Sequence, residues 1–478
     1  MAKEAQSFID EVKPEKEEKI LEEAKENLEK EKTMKLSIKE GAAASVMGGV
    51  GESYITPFAL VLNANNAQIG LLGSLSGFLG PLSQIGGSRL MEKFSRKKIF
   101  VAGVALQAFM WIPMLMLGIL MNKNILTSAL PYFLIIFYSL YAILGSIGGP
   151  AWFSLLGDIV PEKIRGKYFG KRNAVSGTVA LLTTLGAAFL LDYFKTKGIL
   201  LICFSVLFAI ASIARFISAG LLKKHYEPKL KLNEGYYFSF FQFLKKAPKN
   251  NFGKFTIFTF FFYFAVQIAG PFFTVYMLKH LGFDYLIFTL VTLAQSLVSL
   301  LTFRLWGKFS DKYGNLTTLK ICSLIIPFIP IAWIFSPSPI YLILVPQLIS
   351  GLAWAGFNLS ASNFIYDTVT PTRRGICVAY FNLMNGIGTF IGGIIGGFIA
   401  YSINIKFMDI LLFTFVISGV LRLVIAVIFL PMLKEVKIVR KFEMSHIRPL
   451  HIFKGIFFEI INDVMFKKRK SKNLNKKN

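Results

Sequence analysis

Between residues 41 and 432 the chain holds eleven acids, and ten of them fall at or beyond the ends of long apolar runs. The eleventh, Glu52, sits well inside one, ~16 Å along a helix at a rise of 1.5 Å per residue. A carboxylate there can bind a solute, titrate during a cycle, or pair with a buried base such as Arg215; its cost in hydrocarbon makes it a functional candidate. Ser45, Gly48, Glu52, Thr56 and Asn63 recur at three- or four-residue steps, with apolar Ala59 between, as a small polar stripe on one helix face. Similar stripes carry Tyr138, Tyr141, Gly145, Gly149 and Trp152; Thr256, Tyr263, Gln267, Gly270 and Thr274; and Gln347, Gly351, Trp354 and Asn358. Aromatic faces, amides and one carboxylate suit a small polar organic solute. The plainer alternative is that these side chains only glue helices together.

Other chemistries find little to work with. None of the four histidines lies inside an apolar run. Cys203, Cys322 and Cys377 are scattered, forming neither a disulfide framework nor a metal site. No phosphate-binding G-x-x-x-x-G-K-[ST] run occurs, which speaks against direct ATP drive. No cofactor or metal is expected.

The elements that must position these residues follow from composition. Hydrophobic residues make up 54% of the 478 and charged residues 17%, with a mean hydropathy of +0.56. The apolar residues gather into runs of about 20, enough to cross ~30 Å of hydrocarbon, which excludes a soluble enzyme. Twelve spans are expected near 41–63, 67–88, 99–121, 130–157, 173–194, 198–222, 254–279, 284–306, 317–336, 339–365, 376–402 and 408–432. The formal charge of +26 is concentrated in alternate connections, among them Arg89 to Lys98, Lys163 to Arg172, Lys223 to Lys254, and Arg373 with Arg374. That asymmetry follows the positive-inside rule and places both termini in the cytoplasm of a cell-membrane protein. It is a topology signal, not a nucleic-acid footprint.

The two sets of six spans are punctuated alike. Glu92-Lys93-Phe94-Ser95-Arg96-Lys97 closes the second span as Asp311-Lys312-Tyr313-Gly314-Asn315 closes the eighth. Asp158 precedes Arg165 by seven positions after the fourth span, and Asp367 precedes Arg374 by seven after the tenth. Pro57-Phe58 and Pro271-Phe272 lie at similar depth in the first and seventh spans, and Arg215 and Arg422 in the sixth and twelfth. With these signatures, Gly307-Lys308-Phe309-Ser310-Asp311-Lys312-Tyr313-Gly314-Asn315 resembles the loop motif of the major facilitator superfamily, and Ser88, Glu92 and Ser95 make the first copy degenerate. The resemblance covers residues 41 to about 432. It implies an all-α multi-pass membrane protein of twelve transmembrane helices in two pseudo-symmetric six-helix bundles. It also implies that spans one, four, seven and ten line a central cavity, where the stripes above fall.

The resemblance further implies gating by the loop signatures: Glu92, Arg96, Lys97, Asp158 and Arg165 in the first half, and Asp311, Lys312, Gly314, Asp367 and Arg374 in the second. Asp311 can accept hydrogen bonds at a helix N-terminus across the halves, and Lys312 and Arg374 can pair with acids such as Asp367. Such contacts would latch the cytoplasmic side in the outward-open state. The alternative is anchoring by positive-inside charge alone. Gly388, Gly392 and Gly396 of span eleven, with Gly73 and Gly77 of span two, are read as the packing stripe across the halves. Arg215 and Arg422 are read as snorkelling or headgroup-pairing residues.

The domain reading is a charged cytoplasmic helix or tail over 1–40, a six-helix bundle over 41–222, and a linker over 223–253. A second bundle follows over 254–432, and a basic cytoplasmic tail over 433–478. The linker carries an aromatic interfacial segment from Tyr236 to Lys246, and the tail's net charge of +9 attracts anionic lipid. The expected activity is transport of a small-molecule substrate by a monomer that also contacts membrane lipid, with protons or another cation coupled through Glu52. No nucleic acid is involved. A transporter-like sensor or assembly factor, and a lipid flippase, stay open beside it.

Overall fold

The protein is described here by a computed structural model covering residues 2–161, 164–228, 239–370, 373–403, 408–436 and 439, without the side chains of 2–20 and 165–167. The expected aromatic segment from 236 to 238 and nearly all of the basic tail lie outside the described residues. Every regular element described is helical.

Helix α1 (Ala2–Val50) runs unbroken through residue 40, where the sequence suggested a boundary between a cytoplasmic segment and the membrane bundle. Its last third is already part of the packed core, with Thr33, Ser37 and Glu40 buried. It stops at Gly51, whose backbone is so close to the Trp111 ring that an added Cβ would lie 2.5 Å from it. One 3-10 turn over Glu52–Tyr54 follows, then α2 (Ile55–Val61). Pro57 explains the break, because its ring clashes with the carbonyl four residues back and it donates no hydrogen bond. The second half repeats the device. Helix α10 (Asn251–Ala269) ends just before Pro271 and continues as α11 (Phe272–Val275) and a π turn over Tyr276–His280.

The remaining helices of the first half are α3 (Asn66–Leu90), α4 (Arg96–Asn122), α5 (Leu130–Ile147), α6 (Gly149–Ile159), α7 (Arg165–Thr196) and α8 (Leu200–Lys223). A short α9 (Phe240–Lys246) leads into the second half. There α12 (Tyr285–Tyr313), α13 (Asn315–Ile325), α14 (Phe328–Ala332), α15 (Pro339–Leu342), α16 (Leu348–Thr368), α17 (Arg374–Ser402) and α18 (Ile410–Phe429) follow. Among the described residues, ten segments are long and apolar enough to cross a membrane. The other two, 41–61 and α3, are richer in Gly, Ser and other polar residues and pack inside the bundles.

Helix α1 packs on α7 and α8, α4 on α5 and α8, and α3 on α5; in the other half α10 packs on α17 and α18, and α16 on α12 and α13. The halves meet chiefly along α3–α17 and α7–α12. The glycine stripe expected between halves proves to be two stripes. Gly388, Gly392 and Gly396 face backbone carbonyls of α10 in their own half, and a Cβ on Gly392 would stand 2.1 Å from the Phe264 carbonyl oxygen. Gly393 and Gly397, one position on, face Ser74, Gly70 and Ala67 of α3 across the halves. A helix with small residues on two faces can be gripped from both sides, and α17 is.

Of the aromatic linker segment, α9 falls within the described residues. Phe240 and Phe243 stack near Tyr380, while Phe241 points outward at 81% exposure.

Candidate functional site

The helix break delivers Glu52. Its side chain and that of Ser53 are exposed, whereas Tyr54, one residue on, is fully buried between the halves. The Tyr54 hydroxyl donates to the Thr184 carbonyl of α7 at 2.7 Å and lies 2.9 Å from the Thr289 hydroxyl of α12. Glu52 therefore lies on the exposed side of a seam between the halves that closes at Tyr54. The Tyr141 hydroxyl of α5 donates to its Oε1 at 2.5 Å. Tyr138 stacks on Tyr141 with centroids 5.4 Å apart and planes 10° from parallel, and Trp111 meets Tyr141 edge-on at 5.0 Å. Thr56 is half-buried one turn further along the same helix.

The structure gathers the expected site residues into separate groups. Tyr263 and Trp354 stack in the second bundle at 6.2 Å, and Phe357 packs on both. Gln267, one turn above Tyr263, reaches towards α3: a Cβ on Gly73 would be 3.5 Å from its Nε2. Asn358 is exposed on α16. Trp152 does not join Glu52. It lies towards the basic end, under the Arg172 guanidinium at 4.8 Å.

At that basic end each bundle builds the same small network from three places. Arg96, 1% exposed, donates to Asp158 at 2.6 Å, Ser154 at 2.9 Å and the Pro228 carbonyl at 2.8 Å. Glu227, after the sixth span, lies 3.9 Å from Arg96 and accepts from the Lys97 backbone N–H at 3.4 Å. The Lys97 ammonium donates to the His225 carbonyl at 3.0 Å. In the second bundle Asn315 takes the place of Arg96, donating to Asp367 at 2.7 Å and accepting from Asn363 at 3.2 Å. Glu435, after the twelfth span, accepts from the Leu316 backbone N–H at 2.8 Å. Each bundle thus uses an acid beyond its last helix to cap the first turn of its third span, where the dipole favours negative charge. Gly314 makes the turn before it at φ +96°, and an added Cβ would lie 2.2 Å from Glu435 Oε2. Sequence reading passed over Glu227, Glu435 and Asn363; the place of Glu227 twelve residues after Arg215, and of Glu435 thirteen after Arg422, was the available signal.

The cross-half cap expected of Asp311 is not formed. Asp311 is exposed and makes no hydrogen bond or ion pair among the described residues; Glu92 is exposed too. Lys312 lies over the Tyr313 ring at 4.9 Å, and Arg374 lies over Tyr366 at 4.5 Å while donating to its carbonyl at 3.4 Å. The Arg165 side chain is outside the described residues.

The halves are instead tied at the opposite end. Asp192 of α7 accepts from the backbone N–H groups of Tyr285 and Leu286 of α12, both at 2.8 Å. Lys195 pairs with Asp284 at 3.0 Å, and Asn66 of α3 donates to the Ala400 carbonyl of α17 at 2.9 Å.

A second carboxylate sits inside the first bundle. Glu40, 4% exposed, accepts from Arg172 at 3.0 Å and from Ser218 at 2.9 Å, with Arg215 at 3.9 Å. Arg215 donates to Gln107 at 2.7 Å, so it neither snorkels to headgroups nor pairs with Glu52. The Arg422 guanidinium, 2% exposed, donates to the Val266 carbonyl at 3.2 Å and is likewise no snorkelling residue. Next to the Glu40 cluster, burial first and then Arg172 and Lys97 lower the His225 pKa to about 4. Placing Glu40 outside the bundle hid this cluster from the sequence.

The profile of the Major Facilitator Superfamily matches residues 41–252 and 255–462. No curated protein matches the chain in sequence. Among solved structures the nucleoside transporter NupG is similar, at 17% identity and a TM-score of 0.60, over 83% of this chain and 98% of that one. A bacterial homologue of the human lysosomal transporter Spinster, inward-facing and occupied, is 16% identical with a TM-score of 0.58, over 84% and 95%. An outward-facing bacterial homologue of the iron transporter ferroportin is 15% identical with a TM-score of 0.57, over 84% and 98%.

Proposed function

Because the chain belongs to the Major Facilitator Superfamily of transporters, we propose that it moves a small organic solute across the membrane by alternating access, with Glu52 at the binding and coupling site. The observation that carries this reading is the position of Glu52 beside a closure formed by both bundles. An exposed carboxylate stands one residue from a fully buried tyrosine held by Thr184 and Thr289. A cleft floored by such a seam changes its access when the bundles rock.

We read the structure as the inward-facing state. The basic end, with Arg96, Lys97, Lys312 and Arg374, faces the cytoplasm by the positive-inside rule. The opposite end is held shut by Asp192 and Lys195, and Asp311 waits unpaired at the cytoplasmic end. In the outward-facing state the outer contacts break and Asp311 finds a helix N-terminus in the other bundle. Tyr138, Tyr141, Tyr263, Gln267, Trp354 and Asn358 form the walls that the solute meets on the way.

Reconstitution in proteoliposomes with a pooled metabolite mixture tests the transport reading directly. Retention of at least one labelled solute class in counterflow supports it, and failure of every class in a reconstituted, correctly folded protein refutes it. One observation favours a second reading as a sensor or assembly factor, namely the long charged rod of α1 that projects beyond the bundle. Removing residues 2–31, which stops short of buried Thr33, separates the two. A transporter keeps uptake, and a sensor loses its phenotype.

A further inference from the structure

We propose that the solute carries a positive charge, as a protonated amine or a quaternary ammonium group, with Glu52 as its counter-ion and the half-buried ring of Tyr138 as its aromatic wall. The inference rests on the transport reading above and narrows it to a substrate class.

The first argument is charge balance. A carboxylate within the membrane is held next to a cation or a dense set of donors. Glu52 has one neutral donor among the described residues, the Tyr141 hydroxyl, and it engages only Oε1. The other oxygen, Oε2, lies back towards Gly48, 3.6 Å from where an added Cβ would stand, and makes no hydrogen bond among the described residues. Ser53 does not serve it, since its hydroxyl donates to the Gly48 carbonyl at 3.1 Å.

The second argument is where the protein's own cations go. Arg215 is engaged by Gln107 and Glu40, and Arg172 by Glu40 and Ser37. Arg422 is buried against Val266 in the other bundle. The Glu52 carboxylate therefore has no ion pair among the described residues, and the nearby Arg215 is committed to Gln107 and Glu40. Glu40 shows the contrast: a buried acid on α1, before the break, that has its own guanidinium at 3.0 Å.

The third argument is the aromatic surface. Elsewhere the chain covers tyrosine and tryptophan faces with its own cations, Arg172 over Trp152 at 4.8 Å and Arg374 over Tyr366 at 4.5 Å. Of the described cations none lies over Tyr138, although this half-buried ring is stacked on the tyrosine that donates to Glu52. An ammonium group placed over such a ring gains ~0.5–2 kcal/mol and keeps its ion pair. A neutral solute of the same shape gains only the apolar contact, and an anion is repelled.

The experiment uses the full-length protein in lipid nanodiscs and isothermal titration calorimetry. The cationic probes are benzyltrimethylammonium, phenethylamine and tetramethylammonium; benzyl alcohol and benzoate are the neutral and anionic controls. At least one cation is expected to bind at least tenfold more tightly than benzyl alcohol, with benzoate not binding. In Glu52→Gln that preference falls by tenfold or more, Glu52→Asp restores part of it, and benzyl alcohol is unaffected. Should Glu52→Gln fail to fold, Tyr138→Leu leaves the charge in place and is expected to weaken the cations about fivefold but not benzyl alcohol. Equal affinity for cation and alcohol, wild-type cation binding in Glu52→Gln, or no binding by all three cations overturns the inference. Counterflow of a neutral or anionic solute that is unchanged in Glu52→Gln would sink the cation class yet leave the transport reading standing. Absence of all counterflow in the wild-type protein would sink both.

Discussion

The carboxylate of Asp192, on the last turns of α7, caps the first turn of α12 at Tyr285, in the other bundle. Helix α12 has its own acid in the N-cap position, Asp284, but that side chain makes no cap and is turned to Lys195. The start of one bundle's helix is therefore satisfied by the other bundle. Separating them at this end leaves two backbone donors bare until water reaches them.

Asp192→Ala removes two charge-assisted hydrogen bonds, each about 1.5–3 kcal/mol. A loss of about 3 kcal/mol shifts a two-state equilibrium by roughly a hundredfold. We expect the variant to favour the state open at this end. Maleimide labelling of a cysteine placed at Ser53, applied from outside intact cells, should rise several-fold over the Asp192-containing control. Unchanged labelling would show that this cap does not hold the halves.

Tyr141→Phe keeps the ring stack with Tyr138 but removes the donor to Glu52. The expected effect is a rise of about tenfold in the concentration for half-maximal uptake, in line with one hydrogen bond to a charged group. Glu52→Gln should abolish pH-dependent uptake while the purified protein keeps its Tm. Uptake that retains its wild-type pH dependence in Glu52→Gln would remove the acid from coupling.

His225 is 1% exposed, and neither ring nitrogen has a hydrogen-bond partner. Its pKa falls from 6.5 to about 4 through burial, with Arg172 and Lys97 adding to the effect. The unfolded chain then binds the extra proton first, so stability is full above pH ~6.5 and declines as pH drops towards 4. A shift of this size amounts to roughly 3 kcal/mol at the acid end. Thermal unfolding in detergent should show Tm falling over that window, and His225→Phe should flatten the fall. An identical acid slope in the variant would assign it to other groups.

The two glycine faces of α17 predict different failures. Gly392→Val pushes a side chain into the Phe264 carbonyl within one bundle and should lower Tm sharply, with a cost above ~3 kcal/mol as for other overpacked contacts. Gly393→Val meets Ser74 across the bundles, where an added Cβ would lie 2.5 Å away. It should fold more nearly like wild type yet transport at least tenfold more slowly. Equal loss of Tm in both would mean that the α3–α17 seam does not slide.

Much of this architecture was legible because membrane burial writes itself into composition. The runs, the alternation of basic connections and the duplicated Glu92–Arg96 and Asp311–Asn315 signatures mark the crossing segments, and Pro57 and Pro271 mark matching breaks. Glu52 was visible for the same reason, as a lone charge among apolar residues. Glu40 was not, because it follows a highly charged stretch and nothing in the pattern says that α1 enters the bundle before residue 41. The tie between Asp192 and Tyr285 was also hidden: an acid at the end of an apolar run looks the same whether it meets water or a helix terminus. Trp152 and Glu52 lie on elements that the stripes grouped together, but the break between α5 and α6 sends the tryptophan towards Arg172. Side-chain stripes record a helix face, and they lose their meaning where the helix bends.

Helix α1 is a single rod of 49 residues, ~73 Å from end to end, and its far end is the residue before Gly51. Its last third is clamped against α7 and α8, so the rod turns with the first bundle. A tilt of that bundle by only about 5° would sweep the tip through roughly 6 Å, a displacement that a fluorophore or a bound partner at the amino terminus would feel.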